Sequence, residues 1–191
     1  MTVYVLPPRA KPIGLAIDVT TRSRTGYRQL SPMLLGPVVI DGIRAENVEN
    51  AWQYSKVYPG WWSDALACPT PQWFAWRRQG FAKRWADRYP MGKGSKPLFA
   101  WYANQPLSYI IARNTIYVPA YKYAVLAYQK ELLKSLVDVA RRGDLTLVDF
   151  DAYDHHSLGY TLDDVLLDPT RKMGHGFVLA MMIEERIGDL L

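Results

Sequence analysis

ENVENAWQYSKV, residues Glu46–Val57, is the stretch on which the reading of this chain turns. Asn47 is a favoured helix N-cap and Pro59-Gly60 a stop, so the spacing predicts a helix from Val48 to about Tyr58. Glu49, Gln53 and Lys56 then stand at i, i+4 and i+7, within about 60° of the helix circumference. An acid, an amide and an amine are presented in a row, with Val48, Ala51 and Ser55 on another side and Trp52 at the boundary. Polar residues at this spacing also describe a plain solvated helix face. The flanks favour a cleft instead: Tyr54, Tyr58, Trp61 and Trp62 surround the motif, and aromatic walls suit the stacking of a nucleotide base.

Outward from this helix the pattern alternates. Val3–Leu6, Gly14–Thr20 and Pro37–Ile40 read as short strands, the last closed by the turn pair Asp41-Gly42. A second helix is expected over Pro71–Tyr89, a glycine-rich loop around Gly92–Pro97, and a third helix over Leu107–Ile116. Ala120–Arg142 reads as the longest helix, with Tyr121, Val125, Tyr128, Leu132, Leu136 and Val139 as its core-facing stripe. Leu145–Phe150 is a buried strand candidate, Asp151–Pro169 an irregular acidic stretch, and Gly176–Ile187 the last helix. The sum is one α+β domain over residues 1–191, predominantly helical with a few short strands.

Composition sets bounds. With 49% apolar and 21% charged residues in 191, the chain can bury a core and is not of the disordered type. No apolar run is long enough for a bilayer-spanning helix, so no membrane partner is expected. The opening MTVYVLPPRAK lacks a signal-peptide pattern, and Cys68 as the sole cysteine permits no intrachain disulfide. A reducing cytoplasmic location is therefore expected. The net charge of +5 is concentrated: Arg77, Arg78, Lys83, Arg84, Arg88, Lys93 and Lys96 face only Asp87 between Trp76 and Lys96. On the expected second helix Arg77, Arg84 and Arg88 share a face, a candidate phosphate or nucleic-acid surface to which Lys93 adds. A charge run of this kind is equally what a solvated face requires.

At the central helix the sequence resembles the NADAR superfamily, whose hallmark reads roughly S-x-E-H-x-Y/F-Q-x-x-K. Glu49, Trp52, Gln53 and Lys56 keep that spacing. Upstream, Leu30-Ser31-Pro32 followed by PVVIDG is similar to the family's opening. Downstream, Val148-Asp149 through Asp154 resembles its V-E-x-x-x-x-D strand and loop, and GFVLAMMIEER its closing helix. The resemblance spans about Leu30 to Ile187. The chain departs from the pattern where Asn50 replaces the histidine, where Pro32, Met33 and Leu34 replace the opening's Asn and aromatic, and where His155-His156-Ser157 follows Asp154. It is similar to a divergent branch.

The resemblance implies an N-glycosidase acting on a ribose–base bond in an ADP-ribose-like or phosphoribosyl nucleotide, or in an ADP-ribosylated base of a nucleic acid. The implied catalytic residues are Glu49 as acid or base, Asp154 as second carboxylate or ribose-hydroxyl acceptor, and Lys56. Lys56 either binds a phosphate or holds Glu49 ionised, or forms a Schiff base if the ribose opens. Gln53, Trp52, Asn50, Arg77, Arg84 and Lys93 are the expected substrate-binding residues. A catalytically silent binding module for ADP-ribose or modified nucleic acid is the alternative. No cofactor is called for, and the sequence leaves the oligomeric state open. His155-His156 lacks a metal-ligand spacing, Cys68 has no evident activating partner, and no P-loop is present.

Overall fold

A computed structural model describes residues 2–188 of the chain. Two short strands, β1 (Val3–Leu6) and β2 (Leu15–Asp18), lead to a hairpin of β3 (Val38–Ile40) and β4 (Ile43–Ala45). Asp41 and Gly42 make its two-residue turn with φ of 51° and 72°, a left-handed pair that suits an Asp-Gly sequence. Helix α1 (Val48–Gln53) follows, then β5 (Lys56–Val57), the small ribbon β6 (Trp62–Ser63) and β7 (Cys68–Pro69), and helix α2 (Pro71–Phe81). After a long loop come the hairpin β8 (Phe99–Tyr102) and β9 (Gln105–Leu107), and α3 (Tyr109–Ala112). A π turn over Arg113–Tyr117 joins α3 to α4 (Val118–Tyr128), which is followed by α5 (Lys130–Ala140). The chain continues through β10 (Leu145–Val148), α6 (Leu162–Leu167) and α7 (His175–Gly188).

The architecture is mixed, with helix exceeding strand. β10 lies between β1 and β2, parallel to both, in register Val3↔Leu145 and Leu145↔Leu15. Leu145, Thr146 and Leu147 are fully buried, as the centre of a parallel sheet requires. α7 packs on β1 and on α4 and α5, and its Phe177 through Ile183 are nearly all sealed in the core. No described helix is long and apolar enough to cross a membrane.

Four expected helices have other bounds, each for a visible reason. The first stops at Gln53, not Tyr58: Ser55 turns its hydroxyl back onto the Ala51 carbonyl at 2.7 Å, and Lys56-Val57 pairs with Ala100 and Phe99 of β8. The second stops at Phe81, not Tyr89. The buried Asn50 amide donates to the carbonyls of Lys83 (2.9 Å) and Trp85 (3.1 Å) and accepts from the Asp87 N–H (2.8 Å), which holds the chain beyond α2 as a loop. The expected common face of Arg77, Arg84 and Arg88 is therefore not formed. The longest helix breaks at Gln129, whose φ of −133° leaves the helical region; both halves pack on α7, but α4 also packs on α1 and β3, and α5 on the segment Gly26–Leu30. Leu107 closes β9 instead of opening a helix, and the third helix runs on through the π turn into α4. Pro119 has no N–H to give the carbonyl four residues back, which suits a widened turn just before it. Within the acidic stretch expected to be irregular, Thr161 and Asp164 form a capping box that starts α6.

Gly80 of α2 packs against Tyr54, the residue just past α1. A Cβ there would lie 1.9 Å from Cδ1 of Tyr54, whose ring is buried and whose hydroxyl bonds Asp87 and Lys83. The ring cannot swing aside. Gly80→Ala is expected to cost about 2–3 kcal/mol by overpacking. The urea midpoint measures this, and pairing with Tyr54→Ala should return part of the loss.

Candidate functional site

A cleft of about 480 Å3 opens beyond the carboxyl ends of β2 and β10, where α1, the loop after α2, the π turn and the start of α7 converge. Parallel sheets commonly bind ligands at this end, and the volume is in the small-ligand range. Glu49, Gln53, Lys56 and Trp52 all line it. The Gln53 amide donates to Glu49 Oε1 at 2.9 Å, and the Lys56 ammonium donates to Gln53 Oε1 at 2.7 Å. The expected row of acid, amide and amine is therefore present, although Lys56 reaches it from β5. Its ammonium also lies 4.7 Å from the centre of the Trp52 ring.

Burial governs the charges here. Glu49 is 7% exposed, and burial raises its pKa above the ordinary value against the pull of Gln53, Lys56 and Arg88. Burial lowers the Lys56 pKa to about 8, with Glu49 opposing the fall. Both members of the row are shifted toward neutrality.

A second carboxylate in the cleft behaves oppositely. Asp149, just past the end of β10, is buried, yet its pKa lies below the ordinary carboxylate value. Burial opposes its charge, but the His175 ring and backbone N–H groups outweigh it. Oδ2 accepts from the Gly176 N–H (2.9 Å) and faces His175 Nδ1 (3.2 Å) at the start of α7. The other ring nitrogen meets the Val19 carbonyl at 2.9 Å. Each nitrogen thus faces an acceptor, which favours the protonated ring; burial opposes that charge, but Asp149 and the Val19 carbonyl outweigh it and raise the His175 pKa. A Cβ on Gly174 would fall 2.0 Å from Asp149 Oδ2, so glycine there lets the helix start close over the acid.

The rim is basic. Arg88 pairs with Asp151, Lys172 lies 4.0 Å from the same carboxylate, and Lys93 stands on the glycine-rich loop. Tyr58, Tyr89, Tyr109, Tyr117 and Met173 supply further wall.

The remaining expected site residues lie elsewhere. Asp154 is not part of the wall; its carboxylate accepts from the Ser157 N–H and starts the turn His156–Leu158. The carboxylates beside Glu49 in the cleft are Asp149 and Asp151. Arg77 is turned inward, bonded to Asp41 at 2.9 Å and tying α2 to the β3–β4 turn. Arg84 is exposed, with its guanidinium 5.5 Å from the Trp85 ring, outside the cleft. Asn50 is consumed by its contacts with the loop after α2. Sequence reasoning passed over Asp149, Asp151, His175 and Arg113 as site residues. For Asp149 a signal existed, since an acid directly after a buried strand stands at the carboxyl edge of the sheet. For Arg113 the one-dimensional pattern held none.

Fold and site together define a mixed α/β protein with a basic-rimmed cleft around a buried acid–amide–amine row. The chain belongs to a family described as a family of unknown function (DUF6939), whose model matches residues 9–158. No curated protein and no solved structure matches the chain.

The Asp149–His175 pair fixes a pH dependence. Asp149 titrates below its ordinary 3.8, so its contribution to stability is present above that value and lost as pH falls through the depressed pKa. His175 titrates above its ordinary 6.5, so its contribution is full below that value and lost as pH rises through the raised pKa. The pair therefore stabilises most between 3.8 and 6.5. Asp149→Asn is expected to cost about 3–5 kcal/mol in this window, because it strands a buried cation. Urea denaturation at both ends of the range measures this, and the deficit should shrink in alkaline buffer.

Proposed function

We propose that this protein is an N-glycosidase that hydrolyses the ribose–base bond of an ADP-ribose-like nucleotide or of an ADP-ribosylated base. The single observation that carries the reading is Glu49: a buried carboxyl with a raised pKa, hydrogen-bonded through Gln53 to Lys56, in the wall of a nucleotide-sized cleft. The NADAR-like motif supports it. Aromatic walls suit a base, and the cations at the rim suit phosphates.

Breaking a ribose–base bond leaves positive charge at the anomeric carbon and negative charge on the departing base nitrogen. Water supplies the hydroxyl to the carbon, and its proton balances the nitrogen. A glutamic acid whose pKa is raised by burial is a better proton donor than an ordinary carboxylate: it can deliver a proton to the leaving nitrogen and afterwards take one from the attacking water. Gln53 fixes the carboxyl's orientation while leaving its second oxygen free of that contact. Asp151, rather than Asp154, is the second carboxylate, and its charge adds to the rise in the Glu49 pKa.

Lys56 serves this scheme by holding Gln53 and, when charged, by favouring the ionised form of Glu49. A pKa of about 8 also leaves roughly a tenth of the amine neutral at pH 7, enough to trap an opened ribose as an imine. Borohydride reduction in the presence of substrate separates the two roles, since only the second leaves a sugar on the protein.

Glu49→Gln is expected to lower base release from ADP-ribosylated bases, nucleosides or DNA by about 10²–10⁴-fold, as loss of one acid–base group does. Wild-type turnover by the variant would overturn the assignment; binding of ADP-ribose without release by the native protein would favour the silent module. The same substitution should raise stability. The raised pKa means that the ionised carboxylate is destabilised by the fold, so the neutral amide gains at pH above that pKa and not below 4.5. At neutral pH the gain should appear as a higher Tm for the variant.

A further inference from the structure

Arg113 sits in the π turn with 2% exposure and forms no ion pair among the described residues. Its guanidinium is met by carbonyls instead. Nη1 donates to Val165 (3.1 Å), Leu166 (2.9 Å) and Asp168 (3.1 Å), and Nη2 to Arg171 (3.2 Å). The Tyr109 ring lies 4.6 Å from its central carbon. Val165 and Leu166 belong to the last turn of α6, where carbonyls lack helical partners and the helix dipole is negative. A buried cation needs acceptors for its donors, and four carbonyls from one short stretch meet both terminal nitrogens of the guanidinium here. The stretch is thereby wrapped around a single side chain.

The next residues along the chain form part of the cleft wall. Lys172, Met173 and Gly174 line it, Lys172 reaches toward Asp151, and the Gly174 N–H donates to the Asp151 carbonyl at 3.1 Å. We propose that Arg113 is the positioning residue for this ligand-facing segment: its guanidinium gathers the carbonyls of 165–171 and so sets where Lys172 and Met173 stand. It acts on ligand affinity through the segment, not on the bond-breaking step. The choice of ligand rests on the glycosidase reading; the anchoring does not.

Two measurements test this. Trypsin can cut after Arg171 and after Lys172, whose side chains are 45% and 75% exposed. In the native protein these sites should nevertheless be cut at least tenfold more slowly than the one after Lys93. Arg113→Lys, which keeps the charge but loses the fork of donors, should raise cleavage after 171 and 172 about tenfold while leaving the Lys93 site unchanged. In titration calorimetry with ADP-ribose, Arg113→Lys and Lys172→Ala should each weaken binding about tenfold, and the double variant should be no weaker than either single one. Under turnover the loss should appear in KM with kcat retained. Native cleavage after 171 and 172 as rapid as after Lys93 overturns the proposal even if Arg113→Lys does not fold. Independent, multiplying losses in the double variant overturn it too. If the native protein does not bind ADP-ribose, the glycosidase reading fails and the trypsin result still decides the role of Arg113.

Discussion

The 2.7 Å hydrogen bond from Lys56 to Gln53 exists because α1 stops at Gln53. Had the helix continued to Tyr58, Lys56 would have stood one more turn along its face. Instead Tyr54 and Ser55 make a turn, β5 joins β8, and the lysine folds back over Trp52 toward the amide. That turn rests on Tyr54, packed against Gly80 and tied to Asp87 and Lys83. The site's chemistry thus depends on a junction between a short helix, a two-residue strand and a glycine on the neighbouring helix.

The cleft separates two carboxyls by their partners. Glu49 has an amide in contact and cations only at a distance, and burial moves it toward the neutral form. Asp149 is as deeply placed but touches the His175 ring and a helix N-terminal N–H, which lower its pKa. Two buried carboxyls of one cleft are thus pushed in opposite directions by their partners, Glu49 toward the neutral form and Asp149 toward the ionised one. Asp149 also locks α7 to the end of β10, so the same contact that sets the charge aligns the wall of the cleft.

The row of Glu49, Gln53 and Lys56 was legible in the sequence because side-chain spacing survives the early end of the helix. Asn47 as cap and Asp41-Gly42 as turn were legible because their chemistry is local. Asn50, Arg77 and Arg84 misled, since composition shows a polar or basic residue but not that Asn50 braces a loop or that Arg77 pairs with Asp41 36 positions away. Asp154 is close in sequence to Asp151, yet a local turn captures it. The two-residue strands β5, β6 and β7 carry too little pattern to be seen without their partners. Arg113 is decided wholly by contacts more than 50 residues distant.

Burial raises the pKa of Glu49, and carboxyl-carbon NMR titration of a selectively labelled Glu49 measures this directly. The midpoint is expected above the ordinary 4.5, rising further in Lys56→Met, where the opposing charge is gone. A midpoint at or below 4.5, unmoved by that substitution, would contradict it.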